Sequence, residues 1–332
     1  MKKFAKYIYN LITVFVFLIF PINTKASEFT FVDTSKQLYT YDEMVEDIIN
    51  LAVGHEDRIS YESRAVTSQG RNIWLIKFGN LQSENKILIT ASIHSREYMT
   101  SQLVMKMLEE YVLNYDVPNA SGTTYRQYFA NTCFYILPMI NPDGVSISQF
   151  GAAGATQELT INWLNGCKAM GYDLTQIKAN ANGVDLNRNF PIGFGCDKKT
   201  ASVPGLSNYP GAAPLSEAET QVMAILLNEN TFSSAINYHS MGNLIYYGAS
   251  TNTPDVANRC KNMATIVHAV NKYKMVYCGD AIGSFADYFG AVESAPSITI
   301  EIGTANPVPI KQFSNIYNKN INVWPIIANS TL

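Results

Sequence analysis

Histidine is scarce in this chain, with four in 332 residues, so imidazole chemistry has few possible locations. Charged side chains make up only 15% of it and leave a net charge of −3, so a basic surface for nucleic acid is not indicated. The five cysteines include no C-x-x-C pair, which argues against a thiolate zinc site. A G-x-S-x-G elbow is missing, disfavouring a serine hydrolase. Walker and Rossmann glycine patterns are missing too, disfavouring a nucleotide site. No internal repeat or low-complexity linker divides the chain. What is present is apolar material: 47% hydrophobic and 12% aromatic residues, ample for a core. That composition excludes a disordered tail, a collagen-like or coiled-coil rod and a small disulfide scaffold, and the length allows one large domain or two medium ones.

The first 26 residues have the shape of a secretory signal. Lys2, Lys3 and Lys6 precede an apolar run from Leu11 to Phe20, Pro21 ends it, and Thr24-Lys25-Ala26 offers small residues for a cut after Ala26. The run is short of the ~20 residues a spanning helix needs. The alternative is an uncleaved anchor. Cleavage would leave 20 basic against 27 acidic residues, a charge of −7, and would make the protein secreted or extracytoplasmic with no stable membrane association. Export permits disulfides. Cys133, inside the apolar run Cys133–Leu137, reads as a buried free thiol; proximity in sequence suggests Cys167–Cys196 and Cys260–Cys278.

Strands and helices alternate from about residue 40 onward. Thr40 and Glu43 have capping-box spacing ahead of a helix over Tyr41–Ala52. Strands are expected at Ile59–Thr67, Asn72–Phe78, Lys86–Ile93, Thr132–Leu137, Ser233–Tyr238 and Ser297–Ile302. Leu103, Met107, Leu108, Tyr111 and Val112 share one helical face. Ser216 and Glu219 are placed to cap a helix to Leu227, Pro254 opens one to about Tyr273, and a last helix is expected over Lys311–Ala328. This pattern predicts an α/β fold: a mostly parallel, mixed central sheet with helices on both faces. Residues 144–215 show little periodicity and read as a substrate-facing loop region. The expected layout is a short segment over residues 27–39 followed by a single domain over residues 40–332.

Ligands of such sheets gather outside the carboxyl ends of the strands. His94 and His239 directly follow apolar strands, Glu97 lies three residues beyond His94, and Glu301 ends the run Ser297–Ile300. Two imidazoles and a carboxylate suit one zinc ion with a fourth position for water, and a second carboxylate can act as base. A histidine after a strand is also a common structural hydrogen-bonding residue, so pattern alone leaves both readings open. His55, in a polar turn, and His268, on a helix, read as structural or solvent-facing.

The strings His94-Ser95-Arg96-Glu97-Tyr98 and Gly183-Val184-Asp185-Leu186-Asn187-Arg188-Asn189-Phe190 resemble the zinc-binding and carboxylate-binding segments of the carboxypeptidase A-like metallocarboxypeptidases. Asn141-Pro142-Asp143-Gly144, Pro214-x-Ser216-Glu217, His239-Ser240 and Ile300-Glu301 match as well, in the family's order, over about residues 40–325. The lysine-rich start and the Lys, Asn, Ile and Tyr usage fit a secreted bacterial member. The resemblance implies one Zn2+ held by His94, Glu97 and His239, with Glu301 as general base. It implies Asn187 and Arg188 gripping a substrate's terminal carboxylate, Tyr277 closing over the substrate, and Arg96 as either a peripheral substrate contact or a residue that fixes a loop.

Two departures stand out. The family usually carries an oxyanion-stabilising arginine upstream of the Asn-Arg segment; the best position here holds Lys178, which brings charge without a two-pronged donor, or is an ordinary surface lysine. The pocket-floor position is Ala286, small and apolar, which leaves room for a bulky apolar or aromatic side chain. Only about 13 residues separate Ala26 from the first helix, so no inhibitory pro-domain is expected. The leading expectation is a monomeric carboxypeptidase acting on peptides. The alternative on the same site is a peptidase of peptidoglycan stem peptides, cleaving a γ-D-glutamyl bond to a diamino acid. Both substrates carry a free terminal carboxylate. A non-catalytic protein keeping the fold would show loss of a ligand or of the base, and all four residues are present.

Overall fold

In the computed structural model, which describes residues 30–332, Thr40 and Glu43 close the reciprocal cap anticipated for the first helix. The Thr40 hydroxyl accepts from the Glu43 amide at 3.2 Å and the Glu43 carboxylate accepts from the Thr40 amide at 2.9 Å. In chain order the main elements are α1 (Tyr41–Ala52), β1 (Ile59–Val66), β2 (Asn72–Gly79), β3 (Lys86–Ala91), α2 (Met99–Leu113), α3 (Tyr125–Tyr128), β4 (Cys133–Leu137), α4 (Pro142–Phe150), α5 (Glu158–Ala169), α6 (Ala218–Glu229), β5 (Ser234–His239), β6 (Leu244–Tyr247), α7 (Pro254–Asn271), β7 (Lys274–Tyr277), α8 (Phe285–Glu293), β8 (Ser297–Glu301), α9 (Phe313–Asn320) and α10 (Val323–Ala328). The signal-like residues 1–26 lie outside the described residues.

The strands form one eight-stranded sheet in the order β1-β2-β4-β3-β5-β8-β6-β7. Its centre, β4-β3-β5-β8, is parallel, and β1, β2 and β6 pair antiparallel at the flanks. Strand alternation sorts the apolar residues into two layers. Ile87, Ile89, Ile236 and Ile298 face α1, α2, α7, α9 and α10, whereas Leu88 and Ala235 face α6 and α8. Helices therefore cover both faces, as the element pattern predicts.

The structure revises the reading of residues 144–215. This stretch contains most of α4, all of α5 and a third apolar cluster around Ile147, Leu164, Cys167, Leu174 and Ile177. Residues Pro142–Ser148 of α4 are buried all round, so no apolar stripe marks the helix in sequence. Its cap is local instead: the Asn141 side chain accepts from the Gly144 amide at 2.9 Å, with Pro142 in the first turn. The expected last helix is broken in two. Pro325 cannot donate to the carbonyl of Ile321, which instead accepts from the Tyr111 hydroxyl. The cap expected from Ser216 and Glu219 does not form; α6 begins at Ala218 with Glu217 at its N-cap. β6, β7 and α8 carried no strong pattern in the sequence, the two strands being four residues each.

All five cysteines are free thiols, so neither expected disulfide forms. Cys167 is buried in the third apolar cluster while Cys196 is exposed. The Cys260 sulfur is taken up by the Ser297 amide at 3.4 Å and the Asn252 side chain at 3.8 Å, and Cys278 is exposed. Closeness in sequence placed each pair in unlike surroundings. Cys133 is buried and free, as expected. Among the described residues no helix is long and apolar enough to cross a membrane.

One ion pair ties α4 to the β1–β2 hairpin. Asp143, with no exposure, accepts from Arg71 at 2.9 Å and from the Gln69 amide at 3.1 Å. The same guanidinium donates to the Gly154 carbonyl at 2.9 Å. Arg71→Met strands a buried carboxylate and lowers the unfolding free energy by about 3–5 kcal/mol, measured by denaturant titration. Arg71→Met combined with Asp143→Asn recovers most of that loss.

Candidate metal centre

The carboxyl ends of three adjacent strands bring the candidate residues together. After β3 the chain turns at Ser92, whose φ is 49°, held by hydrogen bonds to Thr100 and Ser101. A single 3-10 turn over Ser95–Glu97 then puts Glu97 on the same side as His94. His239 is the last residue of β5, and its register partner in parallel β8 is Glu301. Sequence separations of three and 142 residues thus become direct contacts. His94 Nδ1 lies 2.8 Å from Glu97 Oε1, and His239 Nδ1 lies 3.0 Å from Glu97 Oε2. The Ser240 amide donates to the same carboxylate at 3.1 Å. The imidazole centroids are 4.9 Å apart, and one donor atom from each of the three residues lies within 4.8 Å of the others.

This donor set fits zinc: two imidazole nitrogens and one carboxylate on a buried wall, leaving a position open. The far side of His94 supports the fit. Its Nε2 lies 3.3 Å from Asp185 Oδ1, and neither buried atom has another partner among the described residues. A carboxylate there sets the tautomer that leaves Nδ1 free to ligate. Asp185 is itself anchored by the Asn208 amide at 3.0 Å. It stands two residues before Asn187 within the quoted string, yet sequence reasoning gave it no role; its place in the motif was the only available signal.

Electrostatics follow from this crowding. Burial opposes ionisation of Glu97, but His94 and His239 outweigh it and hold the carboxyl far below the usual range. Burial likewise opposes the charged form of His94, while Glu97 and Asp185 raise its pKa overall. Burial and the Glu97 charge push Glu301 up to about 7, against the pull of His239, Lys178 and Arg96.

The remaining expected residues are spread over loops, a 3-10 turn, a strand and a helix. Lys178 is half-buried, its carbonyl accepting from the Ser95 amide at 3.3 Å, and its charge reaches His94, Asp185 and Glu301. Arg188 donates through Nε to Asp197 at 2.8 Å and through Nη1 to the Asn187 carbonyl at 2.8 Å. The Asn187 side chain accepts from the Phe285 amide at 3.0 Å, which places Ala286, the next residue of α8, beside it. Arg96 bonds the Gln176 carbonyl at 3.3 Å. Tyr277 is the last residue of edge strand β7; it is 51% exposed and packs on Tyr247 at 5.9 Å. His55 and His268 bond the carbonyls of Leu51 and Tyr273 at 3.0 and 2.7 Å and stand apart from the centre.

Residues 44–322 match the zinc carboxypeptidase family. The chain belongs to that family. This zinc carboxypeptidase-family hydrolase is 31% identical over 255 residues to the uncharacterized protein YqgT of Bacillus subtilis (strain 168), covering 75% of this chain and 66% of that protein. It is 27% identical over 299 residues to gamma-D-glutamyl-L-diamino acid endopeptidase 1 of Lysinibacillus sphaericus, covering 87% of this chain and 72% of the relative. In fold it is similar to thrombin activatable fibrinolysis inhibitor, with a TM-score of 0.71 at 16% identity over 90% of this chain and 76% of that one. The central sheet is that of the family's folds, and His94, Glu97 and His239 form a cluster that could hold the zinc of this family.

Asp185→Asn preserves shape but removes the charge behind His94. Zinc affinity, measured by competition with a chelator, falls about 10–100-fold while the thermal transition of the metal-free protein moves little.

Proposed function

We propose that this chain is a secreted, zinc-dependent peptidase that cleaves the amide bond preceding a residue with a free terminal carboxylate. The convergence of His94, Glu97 and His239 beside Glu301, with Arg188 on the neighbouring loop, carries this reading. Secretion rests on the signal-like start of the chain. Zinc held by His94, Glu97 and His239 would supply Lewis acidity, polarising the scissile carbonyl and making a water molecule acidic near neutral pH.

The protein's own groups supply the rest. Glu301, at the strand end beside His239, takes a proton from the attacking water and delivers it to the departing amine. Arg188 has its Nε committed to Asp197, and among the described residues its Nη2 makes no hydrogen bond. The end of the guanidinium fork is therefore left for a carboxylate, with Asn187 beside it. Lys178 provides positive charge where the carbonyl oxygen becomes anionic. Tyr277 and Arg96 border the substrate, and Ala286 leaves the pocket floor open.

Two substrate classes fit that grip: ordinary peptides ending in an apolar residue, and wall stem peptides ending in a diamino acid. The second gains support from the likeness to the gamma-D-glutamyl-L-diamino acid endopeptidase, which spans 87% of this chain. Steady-state assays of a dipeptide with a hydrophobic C-terminal residue beside a purified stem tripeptide separate them. Turnover of the stem peptide alone assigns the enzyme to the wall, and turnover of neither rejects the proposed activity.

Glu301→Gln keeps zinc stoichiometry but lowers kcat by about 10²–10⁴-fold. Because the ionised carboxylate is the base, kcat/KM falls as pH drops through the Glu301 pKa. That pKa is about 7 in the metal-free protein, and a bound cation moves it lower. A pH–rate profile without an acid limb removes Glu301 as base. Arg188→Ala lowers kcat/KM for free-carboxylate substrates by about 10²-fold and leaves C-terminally amidated analogues nearly unchanged.

A further inference from the structure

Residues 178–189 form one loop that carries Lys178, Asp185, Asn187 and Arg188, so its placement governs both the metal's support and the carboxylate grip. We propose that Glu217 is the positioning residue that locks this loop into its working shape. The inference rests on the reading of Asn187 and Arg188 as the substrate's carboxylate grip. Glu217 occupies the N-cap of α6, where a carboxylate ordinarily accepts from the helix's own first amides. Its side chain makes no such bond. It is 7% exposed and turned into the protein, where it accepts from Asn180 Nδ2 at 2.8 Å, Asn182 Nδ2 at 2.7 Å and Ser216 Oγ at 2.8 Å. No cation pairs with it among the described residues, so these neutral donors are what satisfy its buried oxygens.

The three bonds hold the loop at both ends. Asn180 and Asn182 are on its entry side. On the exit side Ser216 Oγ accepts from Asn189 Nδ2 at 3.0 Å, directly after Arg188. Asn189 Oδ1 is held in turn by Thr220 of α6 at 2.7 Å. Between these anchors the loop is tightly folded. Asn180 Oδ1 accepts from the amides of Asn182 and Val184 at 3.0 and 3.1 Å, and Gly183 has a φ of 73° with Pro204 and Gly205 where a Cβ would sit. Glu219, one residue into α6, adds a second acceptor 3.3 Å from Asn180 Nδ2. Burial first, then Asp143 and Glu217, push its carboxyl up to about 8.

The test uses the zinc-loaded full chain with three variants: Glu217→Gln, the complementary swap Asn180→Asp/Glu217→Gln, and Ser216→Ala. Glu217→Gln leaves one acceptor oxygen where the carboxylate offers two, so the donors from Ser216 and from the two asparagines can no longer all be accepted. The swap returns a carboxylate to the same bond from the Asn180 side, keeping the Asn180 Oδ1 contacts. Hydrogen exchange over residues 178–189 and the kcat/KM ratio for free against amidated substrates are both read. The proposal expects faster exchange in Glu217→Gln, a ratio lowered about tenfold through KM, and recovery of both in the swap. Exchange and ratio within about twofold of the parent, or a loss shared equally by both substrates and not recovered by the swap, overturns it. If Glu217→Gln does not fold, Ser216→Ala decides, because it removes the bridge from Glu217 to Asn189 and leaves the Glu217 bonds to Asn180 and Asn182 in place. Unchanged exchange and ratio there overturn the clamp. A parent that turns over no free-carboxylate substrate rejects the substrate reading alone, and the exchange arm still decides the clamp.

Discussion

A carboxylate buried between two imidazoles is the constraint around which this molecule is arranged. Glu97 would be costly to bury alone; with His94 on one oxygen and His239 on the other, the charge is paid for by partners from two different strands. That arrangement exists only where β3 and β5 end side by side, which requires the parallel register of the central sheet. The sheet in turn requires helices on both faces to cover it. The centre is therefore a product of the whole topology, while each of its residues is locally simple: a strand end, one turn of 3-10 helix, another strand end.

The backbone around that centre is layered outward in a consistent way. Asp185 reaches the back of His94, Asn208 fixes Asp185, and the loop carrying Asp185 is fastened to the first turn of α6. Most of these links come from short side chains with few rotatable bonds, Asp185, Asn180, Asn189 and Ser216, which lose little entropy when ordered; the Asn208 backbone amide and Glu217 supply the others. The long side chain of Arg188, proposed to grip the substrate, is held by a second residue, Asp197. Reach and precision are thereby given to different residues.

The sequence made the central strands legible because they are continuous apolar runs with sharp ends, and strand ends are where the chemistry was sought. His94, Glu97, His239 and Glu301 were found by that rule, and family resemblance added the loop residues. What escaped had a physical reason in each case. Helix α4 is buried on every side and shows no amphipathic stripe. β6 and β7 have four residues each, too few for a period to declare itself. Asp185 supports a ligand through space, 91 positions away, and nothing in local pattern reports such a contact. The cysteine pairing rests on spacing, and spacing carries no information about whether each thiol is buried or exposed.

The register between His239 and Glu301 has one more implication. Side chains on a strand alternate faces, so a slip of β8 by a single position would turn Glu301 toward the opposite layer. The cluster of His94, Glu97 and His239 would remain intact, yet the carboxylate proposed as proton acceptor would be gone. On that reading a copy with slipped strands is silent rather than indiscriminate, a safeguard written into strand pairing.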